Sequence, residues 1–192
     1  MSEEYFTFQG QEFKYFDNPH NNTRINERTV EIPISLKFLE FNLKNLIEVG
    51  CVTPYYHECS HEVIDLTDDH PKSKKIDATQ YNFKDKNVLS ISTVEHVGLS
   101  DYGNEIKENN AAIILCEKII KDSLNYFITW PLGYNKVLDS WAFENKRGYF
   151  ISRRDDNKYL WIEKNQNELT EDNKVYGSFH CANSIIILTN SL

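Results

Sequence analysis

The chain is short of positive charge. Its 21 Lys and Arg are outnumbered by 29 Asp and Glu, for a net charge of −8. No basic stripe is visible, which argues against a general nucleic-acid surface and against an anchor on an anionic membrane. Long apolar runs are missing as well. Runs such as "SIIIL" at 184–188 are strand-sized, well below the roughly 18 to 20 residues of a membrane span. The opening MSEEYFTFQG has neither the basic n-region nor the apolar h-region of a secretion signal, so the expectation is a cytoplasmic protein. Cys51, Cys59, Cys116 and Cys181 form no CxxC pair and read as free thiols of a reducing compartment. Neither GxGxxG nor GxxxxGK[ST] occurs, which removes the best sequence evidence for a dinucleotide or nucleoside-triphosphate site. There is no internal repeat and no low-complexity tract.

What is present is an ordinary globular composition. With 192 residues, 40% of them apolar and 26% charged, the chain is sized for one domain with a sizeable core. Residues 1–28 read as a polar, irregular segment around the loop "DNPHNNTRINER", which suits either a lid or an N-cap and surface loop. "TVEIPISLKFLEFNL" from Thr29 to Leu43 approximates a helical stripe, with Pro33 expected in its first turn. Strands are expected in "NLIEVG", "HEVIDLTDD", "IDATQY", "NVLSIST" and "NYFITWPLGYN". Between the last two, "ENNAAIILCEKIIKDSL" carries Ala112, Ile113, Cys116, Ile119 and Ile120 at helical spacing. Two late strands, "NKYLWIEK" and "NSIIILTN", are expected to pair as a hairpin, with "RRDDNK" at 153–158 as a turn. Continuous apolar strands alternating with helices or loops predict an α/β fold: a Rossmann-like, mostly parallel sheet with an antiparallel C-terminal edge and reduced helices between the first strands.

In such sheets ligands bind outside the carboxyl ends of the strands. The expected strand ends carry Glu48 and Gly50, then Asp65, then Asp77 and Ala78, then Ser92 followed by Glu95 and His96, then Trp130. A glycine lets backbone approach a ligand closely. An acid at the end of the second strand suits the two hydroxyls of a ribose. The pattern points to an adenosine-type cofactor held without a phosphate loop.

"LIEVGCVTPYY", "VIDLTDD", "IDATQYN" and "VLSISTVEHVG" resemble, in that order, the successive motifs of class I S-adenosylmethionine-dependent methyltransferases, closest to the type-11-like group with an "EH(V/I)G" element after the fourth strand. "NERTVEIPI" and "WPLGYN" add a likeness to a bacterial subgroup, many of whose members are associated with surface-glycan synthesis. The resemblance covers residues 24–140. It implies S-adenosylmethionine as cofactor, with Glu48 and Gly50 beside its methionine part, Asp65 on the ribose, Asp77 and Ala78 flanking the adenine, and Ser92 at the sulfonium. It also implies that His96 or Glu95 faces a small polar acceptor, a sugar or nucleotide-sugar. The family's E-x-G-x-G-x-G loop is reduced here to Glu48-Val49-Gly50-Cys51-Val52-Thr53-Pro54, with one glycine. About eleven residues separate the first two strands, near the minimum for a crossover.

A hydroxyl acceptor needs a base, and a histidine beside a carboxylate suits that task near neutral pH. His96 is therefore the candidate general base and Glu95 its partner; a plain helix cap, or a Mg²⁺ ligand pair, is the competing role for the two. Trp130, Tyr134 and Asn135 after the fifth strand, and Arg28 from the N-terminal segment, are candidate acceptor contacts, with core packing the rival role for Trp130. Tyr55 and Tyr56 either pack over the adenosine or shield the sheet. Cys51, His57, Cys59 and His61 fall close together, but their spacing fits no common zinc finger. A homodimer is compatible with this reading. The rival function is a non-catalytic, methyltransferase-like binding subunit.

Overall fold

The structure is a computed structural model, described here for residues 4–100, 110–177 and 181–192. Residues 1–3 of the N-terminal segment and Glu108 and Asn109 at the front of the expected helix lie outside the described residues. The chain forms an α/β fold around an eight-stranded mixed sheet, with a separate two-stranded hairpin.

That hairpin, β1 (Tyr5–Phe8) and β2 (Gln11–Lys14), corrects the expectation of an irregular N-terminus. It turns at Gln9 and Gly10, both with φ near the left-handed region. Phe6, Phe8 and Tyr15 are buried beneath it. The signal was there, since "YFTF" and "EFKYF" alternate ring and polar side chains across a Gly-containing turn.

Helix α1 (Arg28–Asn42) holds Pro33 in its interior, not in its first turn. A proline there has no N–H for the carbonyl of Thr29. The Phe16 N–H takes that carbonyl instead, at 2.9 Å. The segment after the hairpin thereby repairs the missing helical bond and is tied to the first turn of α1.

The sheet is built from β3 (Leu46–Val49), β4 (Glu62–Ile64), β5 (Ser73–Lys74), β6 (Asn87–Ile91), β7 (Asn125–Pro131), β8 (Tyr149–Arg153), β9 (Trp161–Lys164) and β10 (Ser184–Thr189), in the spatial order β5-β4-β3-β6-β7-β10-β8-β9. The first five in space run parallel, and β10, β8 and β9 join antiparallel to their neighbours. The inner strands read as continuous apolar runs because both faces are covered. Val88, Ile128, Ile186 and Leu188 pack under α2 (Ala111–Asp122) and α3 (Lys136–Glu144), while Leu89, Phe127, Ile185 and Ile187 pack under α1 and the hairpin. Adjacent residues on one strand go to opposite cores, as the two-residue period of a strand requires. In α2 the buried positions Ala112, Leu115, Cys116 and Ile119 form the expected stripe.

Three expectations change. "IDATQY" is not a strand: β5 is the shorter Ser73–Lys74, and Asp77 instead caps a single 3-10 turn over Ala78–Gln80 by accepting the Thr79 N–H. The two late strands do not pair with each other, because β8 lies between them. Helix α3 was not expected, although Leu138, Trp141 and Ala142 sit at helical spacing behind an Asn135 side chain that accepts the Leu138 N–H. The turn at 153–158 does join two late strands, β8 and β9. Between β3 and β4 the connection contains one 3-10 turn, Thr53–Tyr55.

Candidate functional site

At the carboxyl ends of β3, β4 and β6 the chain opens a cavity of about 560 Å³, within the usual range of a small-molecule site. Strand order reverses between β3 and β6, and at such a reversal crossovers leave in opposite directions and a crevice remains. Of the residues singled out from sequence, Gly50, Asp65, Asp77, Ala78, Ser92, His96 and Arg28 all line this space. Segments far apart in the chain are thus brought to one cavity.

The wall beneath Gly50 is tightly fixed. Gly50 has φ +86°, and a Cβ added there would meet Thr93 Oγ1 at 2.0 Å, so another residue cannot stand at this position. Ser92 has φ +38° without being a glycine, a strained conformation of the kind held at functional sites by the surrounding structure. Asp65 is half-buried. Its Oδ1 accepts the N–H groups of Thr67 (2.8 Å) and Asp68 (2.9 Å), and its Oδ2 accepts only Cys51 N–H (3.1 Å). Oδ2 keeps acceptor capacity for a ligand hydroxyl.

Glu48 does not line the cavity. It is fully buried behind it, where Oε1 accepts Val52 N–H (3.0 Å) and Thr53 N–H (2.7 Å), and Oε2 meets His61 Nε2 at 2.7 Å. Glu48 thus holds the loop after β3. His61 is thereby occupied, and among the described residues no group of three or more His, Cys, Asp or Glu side chains is arranged to hold a metal ion.

Sequence reasoning missed Glu31. This residue of α1 is completely buried and gathers donors from three elements: Arg28 Nη1 at 2.5 Å, Ser92 Oγ at 2.6 Å and Thr129 Oγ1 at 2.6 Å. It locks α1 onto the ends of β6 and β7 and fixes the Arg28 side chain beside the cavity. Burial opposes the charge on Arg28, but Glu31 and Glu27 more than offset it, so the guanidinium stays protonated. An acid in the apolar run "VEIPI" was the available signal.

His96 stands on the cavity wall with its ring edge-on to Tyr134, centroids 4.7 Å apart. Tyr134 in turn meets Tyr176 at 4.9 Å. Glu95 is different from expectation. It is buried away from the cavity, its Oε1 lies 3.7 Å from His96 Nε2, and its Oε2 has no hydrogen-bond partner among the described residues. Burial pushes its carboxyl well above the usual range, with the charges of Glu31 and Glu27 adding to the rise. A carboxyl so placed favours its protonated form. Glu27, also buried, is raised by the same causes, burial first and Glu31 second.

Two candidate acceptor contacts belong to the core. Trp130 is completely buried, with its Nε1–H donated to Asp139 at 2.9 Å. Asn135 caps α3 and donates Nδ2–H to the Glu95 carbonyl at 2.9 Å. Trp130 takes the rival core-packing role, and Asp139 on α3 is the partner its indole N–H needs. Tyr55 donates its hydroxyl to Asp68, a lining residue of the cavity, and stacks on His20 from the N-terminal segment, ring centroids 5.0 Å apart. Burial and Asp68 push the Tyr55 phenol up to about 12.

The chain matches no protein-family model, no curated protein and no solved structure.

Proposed function

We propose that this chain is an S-adenosylmethionine-dependent methyltransferase of Rossmann-like fold, which binds its cofactor in the cavity at the ends of β3, β4 and β6 and methylates a hydroxyl of a small polar acceptor. The observation that carries the reading is the convergence of Gly50, Asp65, Ala78, Ser92 and His96 on one cavity, in the order in which the sequence motifs assign them to a single ligand. The sheet supports it. Numbered by their order within the sheet, the parallel strands lie as 3-2-1-4-5, the doubly wound arrangement with its crevice between the first and fourth.

The bound cofactor supplies a methyl group on a sulfonium, an electrophile that needs no activation by the protein. The chain's own residues do the rest. Asp65 Oδ2 accepts a ribose hydroxyl. Ala78 offers an apolar wall to the base. Tyr55 holds Asp68, on the cavity wall, in place. His96 takes the acceptor's hydroxyl proton onto its imidazole, with Tyr134 fixing the ring plane. Glu95 acts through its contact with that ring. A sugar or nucleotide-sugar acceptor rests on the sequence resemblance alone.

One observation favours a second reading, a methyltransferase-like binding subunit without catalysis: the amides of Cys51, Val52 and Thr53 after β3 are occupied by the protein itself. Titration calorimetry with S-adenosylhomocysteine separates the two. Micromolar binding is the expected result, and no heat at millimolar ligand rejects the enzyme. His96→Ala should keep that affinity within about threefold and lower turnover by roughly a hundredfold or more, the usual worth of a general base. Unchanged turnover removes His96 from the mechanism.

A further inference from the structure

The loop after β3 has no amide to offer an anion. Gly50 N–H is bound to the Ile64 carbonyl (2.9 Å), Cys51 N–H to Asp65 Oδ2 (3.1 Å), and Val52 and Thr53 N–H to Glu48 Oε1 (3.0 and 2.7 Å). Any anionic group brought to this wall would have to displace a carboxylate that is already there. The cavity nevertheless carries charge at both ends. Asp65, Asp68 and Asp77 lie on the β4 and β5 side, and Arg28 is the one Lys or Arg side chain among the described residues that line it.

Arg28 is built in, not draped over. Its side chain is 13% exposed, Glu31 holds Nη1, and Glu31 is itself fixed by Ser92 and Thr129. A guanidinium has five N–H donors, and Glu31 together with Tyr56, which also hydrogen-bonds Arg28, does not exhaust them. Through the bond from Glu31 to Ser92, Arg28 belongs to the end of β6, two strands across from Asp65 on β4. At the usual strand spacing that is roughly 10 Å, the span of an extended ligand with a diol at one end and an anion at the other.

We infer that Arg28 is the anion anchor of the cavity and binds the amino-acid carboxylate of an S-adenosyl ligand whose ribose lies on Asp65, with Glu31 as its positioning residue. The inference rests on the methyltransferase reading and moves Arg28 from the acceptor to the cofactor. It also accounts for the degenerate loop. Where backbone amides are occupied, a side chain has taken over the anionic end. A planar, permanently charged fork is the side chain suited to a carboxylate.

The test uses two ligands that differ at that end. S-adenosylhomocysteine carries the amino-acid group; 5′-methylthioadenosine lacks it but keeps the adenosine. Calorimetry on the full chain should show the first binding at least tenfold tighter. Arg28→Gln should weaken S-adenosylhomocysteine by about tenfold to a hundredfold, the range of a charge-assisted hydrogen bond, and leave 5′-methylthioadenosine within twofold. Retained binding of the truncated ligand reports an intact cavity. If Arg28→Gln does not fold, the pair Arg28→Met with Glu31→Gln leaves no buried charge unpaired and should show the same loss of discrimination. Equal weakening of both ligands, or no weakening of either, overturns the anchor while the cofactor reading stands. A wild-type chain that binds neither ligand overturns both.

Discussion

At the carboxyl ends of β3, β4 and β6, Asp65, Ser92, Arg28 and His96 border a cavity. In the antiparallel part of the same sheet, polar groups are more deeply buried and meet partners inside the protein. Ser152 Oγ meets Ser184 Oγ at 2.6 Å between β8 and β10. Arg153, fully buried over the Trp161 ring, donates to the carbonyls of Ala182, Lys158 and Ile25. On β7, the strand where the parallel part meets β10, Trp130 is closed off by Asp139. The difference follows from connectivity. Parallel strands must be joined by crossovers that leave from one end of the sheet, and where their direction reverses a crevice remains. Antiparallel strands turn back at once, and their loops cover their own ends. Burial of polar groups is therefore no guide to a site here, whereas their position relative to the reversal is.

The sharpest way to break this comparison is to remove the central group from each half. Glu31→Ala leaves Arg28, Ser92 and Thr129 as donors without their acceptor, and loss of one partner of a buried pair costs about 3–5 kcal/mol. Arg153→Met strips three carbonyls of their donors, at about 2–4 kcal/mol, since each unsatisfied group costs a kilocalorie or more. Urea midpoints measure both. Only the first substitution should also weaken S-adenosylhomocysteine. An Arg153 variant that loses ligand affinity as severely would show that the antiparallel half is part of the site.

A somewhat smaller effect separates the halves by pH. Burial raises the Asp139 carboxyl from 3.8 to about 6, against the hydrogen bonds from Trp130 and Gly133, which lower it. The folded state thus binds this proton more tightly than the unfolded chain. The stabilisation is complete below about pH 4 and is lost as pH rises through 6, by at most about 3 kcal/mol. Asp139→Asn has no proton to lose, so its stability should gain on the wild type between pH 4 and pH 7, with no change in ligand affinity. Parallel stability curves for the two proteins would mean that Asp139 ionises normally.

The same contrast explains what was legible in the sequence. β3, β4, β6 and β7 announce themselves because burial on both faces makes them continuously apolar, and the polar residues just past their ends fall on one rim by topology. Glu31 stands out as an acid inside an apolar helix, but that alone gives no hint that hydroxyls from Ser92 and Thr129, far along the chain, converge on it. Glu48 and Glu95 are expected as ligand contacts, but whether an acid near a strand end faces the cavity depends on local geometry: for Glu48, on β3, the side of the pleat, and for Glu95 the 3-10 turn Val94–His96 that carries it past β6. β8 was lost because "YFISR" abuts a charged turn, and with it went the pairing of β9 and β10. The hairpin and α3 carried adequate local patterns, "YFTFQGQEF" and "NKVLDSWAF", that were passed over for want of a partner to pack against.

The smallest expected effect is one on which the two halves should agree. Lys74 on β5 pairs with Glu62 at 2.7 Å, and Lys158, before β9, pairs with Asp172 at 2.7 Å. One pair lies in each half, and both are open to solvent on at least one side. Such pairs gain little, because water already solvates both charges and two long side chains must be held still. Lys74→Ala and Lys158→Ala should each cost less than about 1 kcal/mol, and the cost should shrink further in 1 M salt, where screening falls to about 3 Å. Equal, small and salt-sensitive losses would place the difference between the halves entirely in their buried groups. A loss above about 2 kcal/mol at either lysine, well beyond the exposed-pair range, would mean that the surface takes part in it and that the cavity alone does not set the parallel half apart.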